Sequence, residues 1–399
     1  MSWDNYNGIE NGKMICLKLF ENPQYHLPIK FQSDDYKTEV SNLLTTYINE
    51  LETCGAKNDT IKAVKQFRRS VSYTLSNYLK GIHSNAFENL GKALDALKIM
   101  DSPIISTELG DVLLYRGRVN EGSEDYTEDQ MYHIPLNKRS IISTQRYSFP
   151  GLPCLYAGAS VYTCWVELNR PSFEEFQVAT LTNIVHSAKV LDLSRIPQRL
   201  KDMANETWFD EDDYLRYWPL MALCSIKAKE TDTFKPEYIF PQFLLEYILK
   251  NKSEHIGIKY ASIKVASISE RQFQDDWHTY VNYVFPARSD SMTGGRCEFL
   301  AERFKIGSNR SGKELQILAR MLEVDHVRLR TSFSNGTISL DVPTAKGTWN
   351  IYTGDGKPYP YAGSVFGMIE EAMKRDDFNL DTETQKIEAI SPGYINHLF

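Results

Sequence analysis

Arg146, Tyr156 and Glu167 are the residues of this chain whose types and spacing could do chemistry, in the segment RYSFPGLPCLYAGASVYTCWVE that runs from Arg146 to Glu167. An arginine offers forked donors to an anion, a tyrosine an aromatic face, and a lone carboxylate a charge that can balance a cationic transition state. Arg146 sits across the Pro150-Gly151 turn from a β-run ending in Tyr156, and Glu167 follows within three helical turns. A compact strand–turn–strand–helix unit would therefore gather the three. Together they are the parts needed to hold a dinucleotide and break its glycosidic bond.

The same residues carry a resemblance. An Arg-aromatic-x-x-x-Gly run, a Pro-x-x-Tyr strand and a carboxylate eleven residues after that tyrosine are similar to the signature of the RES family, with Arg146, Tyr156 and Glu167 at its positions. That family belongs to the ADP-ribosyltransferase-like enzymes that consume NAD. Tyr115-Arg116 matches its early strand, and IGIKYAS places Ser262 on its serine. The resemblance covers residues 111 to 290, and its strength lies in order and spacing agreeing together.

The resemblance implies a toxin-like enzyme that cleaves the nicotinamide–ribose bond of NAD, by phosphorolysis or hydrolysis. Such a bond needs little covalent help, because the leaving group is already a pyridinium. The difficulty is the oxocarbenium-like ribose, much as in glycoside hydrolysis. Glu167 is the expected catalytic carboxylate, with Arg146 and Ser262 beside it. Arg116 and Arg146 are expected on the pyrophosphate, Tyr156 against the nicotinamide ring, and Tyr115 and Asn282 among the dinucleotide's contacts. Ser262 has no histidine and aspartate in register to activate it, so a hydrolase nucleophile is not expected. His133 and Tyr147 read as structural. Gly294-Gly295-Arg296 lacks the rest of a P-loop. NAD is expected as substrate, inorganic phosphate as an acceptor, and no metal is expected.

The elements that must position these groups follow from periodicity. Tyr36, Val40, Leu43, Leu44, Tyr47, Ile48 and Leu51 keep helical spacing, with Ser33 available as an N-cap. Ile61, Val64, Val71, Leu75 and Leu79 mark a second helix stopped by Gly81, and Phe87, Leu90, Leu94 and Leu97 a third beginning after Ser84. These helices show no titratable cluster and read as a docking or scaffolding module. Short strands are expected at Val112–Arg116, Ala188–Leu193, Ile256–Ile263 and Tyr280–Phe285. Asn120–Asp129 reads as a solvated acidic loop, Asp210–Asp213 as part of a helical insert, and Phe240–Leu249 as an amphipathic helix. Beyond 290, a helix at Leu315–Leu322, a hairpin about Asn335-Gly336 and a loop at Lys346–Gly363 are expected.

The expected fold class is α+β. A helical N-terminal unit (1–105) precedes a mixed α/β RES domain (106–290) with an ADP-ribosyltransferase-like split sheet, and a small C-terminal α+β appendage (291–399) follows. At 399 residues, two or three units are expected. With 42% hydrophobic and 24% charged residues the composition is that of an ordinary globular protein. A net charge of −7 argues against a nucleic-acid binder, though not against one basic cleft. No stretch approaches the apolar length of a membrane span, and six scattered cysteines without a CxxC pair suit a reducing cytoplasm.

Three departures from the resemblance matter. Thr144 stands where short relatives carry a tyrosine, the Glu167–Ser262 interval is longer, and the terminal units lie outside the match. The long interval suggests a cap over the cleft, and no helix-turn-helix antitoxin module is seen. An NAD-consuming activity needs restraint, so the N-terminal helices, the C-terminal unit or a separate antitoxin or regulatory partner is expected to control it. Two other readings stay open: an ADP-ribosyltransferase that modifies a macromolecule, and a non-catalytic nucleotide-sensing interaction protein.

Overall fold

The computed structural model describes residues 14–122, 124–229, 231–251, 254–264, 280–312, 314–315, 361 and 365–374. Its chain opens with α1 (Met14–Phe20) and three longer helices, α2 (Tyr36–Thr53), α3 (Asn58–Leu79) and α4 (His83–Leu97). Asp35, rather than Ser33, caps α2, its carboxylate accepting from Thr38 N at 3.1 Å, while Ser33 Oγ accepts from Asp35 N. Gly81 stops α3 in the left-handed region (φ 80°), and α4 starts at His83. Leu79 leaves the apolar face it was expected to join and is exposed.

Strands β1 (Ser106–Glu108) and β2 (Leu113–Val119) follow, then the short helix α5 (Glu128–Met131), whose Thr127 and Gln130 form a capping box. Next come β3 (Cys154–Gly158), α6 (Val161–Glu167), β4 (Phe176–Asn183), β5 (Lys189–Leu193) and α7 (Leu200–Met203). Helices α8 (Glu211–Cys224) and α9 (Ile239–Asn251) precede β6 (His255–Ala261), β7 (Val281–Pro286), α10 (Glu298–Ala301) and β8 (Phe304–Arg310). The last described element is α11 (Val365–Lys374). Asp210 caps α8 and three acids fill its first turn, which suits the helix dipole. The segment before the Pro150-Gly151 turn is a 3₁₀ turn (Leu136–Ile141) and loop, not the strand expected there. Helix α9 is buried on nearly every side rather than amphipathic.

The fold is α+β. Among the described residues eight strands make one sheet in the order β1-β5-β6-β7-β3-β2-β4-β8, antiparallel except for the β5–β6 pair. A large core joins α1–α4, α8 and α9 to β5 and β6, through Trp218, Tyr47, Phe240 and Ile258 among others. A second covers the opposite surface around Leu114, Leu155, Leu181 and Phe285, and a third packs α6 against α11 through Tyr162, Trp165, Phe366 and Ile369. Packing is thus continuous across residue 105. The sheet likewise runs past residue 290, since β8 pairs with β4.

One feature of the sheet shapes the site. Strands β2 and β3 meet at a single register pair, Tyr115 with Gly158, and then diverge, while β2 stays fully paired with β4 from Leu113 to Val119. The fork leaves a gap inside an otherwise continuous sheet. Two glycines let α6 lie close over it. A Cβ on Gly158 would come within 2.9 Å of Cys164 Sγ, and one on Gly117 within 2.8 Å of the Phe176 ring and 3.0 Å of Cys164 Cβ. The helix at Leu315–Leu322 beyond its first residue, the hairpin about Asn335-Gly336 and most of Lys346–Gly363 lie outside the described residues.

Candidate active site

A cavity of about 610 Å³ opens at this fork. Its walls carry Arg116, Arg118 and Arg146 with Lys227, Lys229, Lys235 and Lys264, and among the described residues Glu167 is the one acid on its lining. A strongly cationic cleft in a chain of net charge −7 is a local arrangement, and it suits an anionic ligand.

Glu167 ends α6 and is half-buried. Ser262, fully buried just past β6, donates its hydroxyl to Glu167 Oε1 at 2.6 Å. Asn282 of β7 donates Nδ2 to the same oxygen at 2.7 Å. Both donors thus act on Oε1, and Oε2 carries no bond from a described residue. Lys264 Nζ bonds the Glu167 carbonyl at 2.8 Å and Asn169 Oδ1 at 2.5 Å. Asn169 (φ 65°) and Arg170 (φ 56°) both sit in the left-handed region immediately after. Backbone strain of this kind, of order 1–3 kcal/mol per residue, persists where surroundings over-determine it. Here Lys264 and two backbone bonds, Asn169 N to Val166 O and Arg170 N to Trp165 O, hold the turn.

The other end of α6 is held as firmly. Ser160 caps it at Thr163 N (2.9 Å), and Glu370 of α11 accepts from Val161 N at 2.7 Å. Tyr361 donates its hydroxyl to the same Glu370 oxygen. A carboxylate at a helix N-terminus is stabilising, so the C-terminal segment helps to fix the helix that carries Glu167.

Arg116 stands in the fork. Its Nη1 reaches across to the Tyr156 carbonyl at 3.0 Å, while its Nε is buried without a partner. Burial, and then the like charge of Arg118, push its pKa down to about 10, and no acid is among the groups acting on it. A buried cation lacking a counter-charge is costly, and an anionic ligand would relieve it. Arg146 bonds the Cys224 carbonyl weakly (3.4 Å), and its guanidinium lies 5.0 Å from the Tyr238 ring centroid. Arg118 is committed elsewhere, to the Gln130 carbonyl and the ring of Tyr126.

Tyr156 is half-buried on the cleft lining, its hydroxyl donating to Ser148 Oγ at 3.2 Å. Burial holds its phenol well above the usual range, so it keeps its proton at neutral pH. Tyr147 is fully buried, its ring centroid 4.7 Å from that of Tyr260. Thr144, also on the lining, accepts from Gln242 Nε2 at 2.9 Å.

The structure thus gathers Glu167, Ser262, Asn282, Arg116, Arg146 and Tyr156 about one cleft, but not Tyr115. Neighbouring strand residues face opposite ways, and Tyr115 turns from the fork into the core of Tyr162, Trp165 and Phe366, where its hydroxyl meets Glu370. Asn282 is on the cleft lining, with its amide nitrogen donating to Glu167 Oε1. His133 is structural: its Nε2 accepts from Cys297 N at 2.8 Å and its Nδ1 bonds the Ile134 carbonyl at 2.7 Å. Gly294 and Gly295 offer carbonyls to Asn137 N and Leu136 N, and Arg296 pairs with Asp129 at 2.6 Å. Tyr260 and Lys264 were missed. Tyr260 lies two residues before Ser262 near the end of β6, so period-two spacing pointed to it, whereas Lys264 lies in the turn that follows the strand.

Among the described residues no group of three or more histidine, cysteine or acidic side chains could hold a metal, and no helix is long and apolar enough to cross a membrane. No family model and no solved structure matches the chain. It is 33% identical over 305 residues to a protein of Bacillus subtilis (strain 168) named "Putative toxin YopC", the match covering 68% of this chain. The chain spans 65% of that protein's length.

Proposed function

We propose that the chain is a toxin-like, NAD-consuming enzyme of the RES type, which cleaves the nicotinamide–ribose bond and so depletes NAD. The observation that carries the reading is the fixed carboxylate of Glu167, anchored through Oε1 by Ser262 and Asn282 at a cleft otherwise lined by cations. The divergence of β2 and β3 is what a split sheet of the ADP-ribosyltransferase type requires. The name given to the Bacillus subtilis relative supports a toxin-like role.

In this reading Arg116 and Arg146 hold the diphosphate, and Tyr156 lies against the nicotinamide ring. Nicotinamide leaves as a neutral molecule with the bonding electron pair, and positive charge grows on the ribose. Glu167 Oε2 faces that charge and the ribose hydroxyls, an interaction strengthened in the transition state. An oxygen of phosphate or water then forms the new bond at the anomeric carbon; with water, a proton is released. Ser262, its hydroxyl donating to Glu167 Oε1, serves to orient that carboxylate.

The test is incubation of purified protein with NAD, with and without phosphate, following products by mass spectrometry. Nicotinamide release that requires phosphate, with a phosphorylated ADP-ribose, establishes phosphorolysis; release without it establishes hydrolysis. Absence of nicotinamide in both conditions defeats the proposal.

A further inference from the structure

Helix α9 is buried and largely apolar, yet its first turn carries Gln242, 5% exposed. A buried amide is costly unless its hydrogens find acceptors. Gln242 Nε2 finds them in a single loop. It donates to Thr144 Oγ1 and to the Gln145 carbonyl, both at 2.9 Å, and to the Ser148 carbonyl at 3.3 Å. Thr144, Gln145, Arg146 and Ser148 lie on the cleft lining, whereas Gln242 does not.

The loop so held is the one that carries Arg146. Residues 143–149 belong to no helix or strand, so contacts made by its neighbours decide where the arginine points. Gln145 N donates to Ser148 O at 3.0 Å and Ser148 N to Gln145 O at 3.3 Å, which closes the loop on itself. Tyr156 fastens one side of it through Ser148 Oγ. The guanidinium is met by the same pair of helices that supplies Gln242. Its Nη1 bonds the carbonyl of Cys224, the last residue of α8, and the ring of Tyr238 lies beside it where a 3₁₀ turn (Pro236–Tyr238) runs into α9. Tyr238 and Gln242 are about one helical turn apart. The start of α9 thus meets the side chain of Arg146 through one residue and its backbone loop through the other. Both helices fall in the long interval between Glu167 and Ser262.

Resting on the function proposed above, we propose that Gln242 is a positioning residue for the diphosphate site. It touches no ligand and acts through the 144–148 loop to aim Arg146 into the cleft. A guanidinium on an untethered loop must give up its other orientations when it binds, and fixing the loop beforehand removes that cost. The effect therefore falls on affinity for the diphosphate and not on the step at Glu167.

Calorimetric titration of the full chain with ADP-ribose, which has the diphosphate but no nicotinamide, reads the inference without turnover. Gln242→Met keeps a side chain of similar length and removes both donors. It should weaken binding about tenfold, the scale of one hydrogen bond to a charged group. Thr144→Val, at an exposed position, removes one acceptor and should weaken binding about fivefold; it decides the matter alone if Gln242→Met fails to fold. In an Arg146→Met background each loss should shrink to within about twofold, because residues that act through a third are not additive with it. Losses of the same factor with and without Arg146, variants within about twofold of the parent, or a parent chain that does not bind ADP-ribose overturn the inference. Nicotinamide release from NAD tests the cleavage reading separately. With release, Gln242→Met should raise KM and leave kcat within about twofold, and a fall in kcat at unchanged KM would overturn the positioning role. Arg146-dependent losses of ADP-ribose affinity without any release from the parent would sink cleavage and keep that role.

Discussion

Replacing Glu167 by glutamine changes the charge of the site and almost nothing else. Oε1 accepts from Ser262 and Asn282 at 2.6 and 2.7 Å, so the amide oxygen of glutamine takes that position and both donors keep a partner. The amide nitrogen then occupies the place of Oε2, where an acceptor becomes a donor facing the ligand. A preorganised group acting on developing charge is worth roughly a hundred- to a thousandfold in kcat, about 2.7–4 kcal/mol. Glu167→Gln should therefore lower kcat by about that factor while KM for NAD changes little, since the diphosphate contacts are untouched. The assay is nicotinamide release across a range of NAD concentrations, with thermal unfolding as a control for folding. Turnover within about threefold of the parent protein, with an unchanged melting curve, would refute Glu167 as the charge-balancing group.

Other expectations follow from neighbouring contacts. Asn282→Ala removes one of two donors on Oε1 and should cost about tenfold or more in kcat, read in the same assay. Gly117→Ala drives a Cβ to 2.8 Å from Phe176 and 3.0 Å from Cys164, and should destabilise the protein by about 1–3 kcal/mol in denaturant unfolding. Burial holds His255 at about 4, below its ordinary 6.5, so its neutral form stabilises the fold fully above pH 6.5 and that contribution is lost as pH falls toward 4. His255→Gln should flatten the fall in melting temperature across that window. Removing residues 1–105 should give an unfolded or insoluble chain rather than an unrestrained enzyme, because α2–α4 share a core with α8 and α9; a soluble, cooperatively melting fragment would contradict this.

The helices of the first hundred residues were legible because each buries one stripe, and residues such as Val40, Leu44, Leu51, Leu90 and Leu94 are buried as their spacing implies. What spacing could not reveal was their partner. Helices α8 and α9 complete that core from more than a hundred residues away, and α9, buried almost all round, has no stripe to read. In the site, Glu167 and Ser262 are separated by ninety-five residues yet share a hydrogen bond, a pairing that came from resemblance and not from local pattern. Tyr115 failed for a local reason, since a strand carrying Arg116 into the fork must turn its neighbour away. The cationic wall at Lys227 and Lys235 went unseen because a lysine in a loop has no sequence mark until the loop is folded against a cleft.

The bond between Glu370 and Val161 N joins positions 209 residues apart in the chain. On a ribosome, α6 and the carboxylate at its tip exist long before the residues that cover Tyr162 and Trp165 and cap that amide. A nascent polypeptide stopped short of Tyr361 leaves this end of the helix uncovered and its first N–H without the acceptor it has in the finished fold. The arrangement of Glu167 is therefore completed only once the residues through Glu370 have left the ribosome.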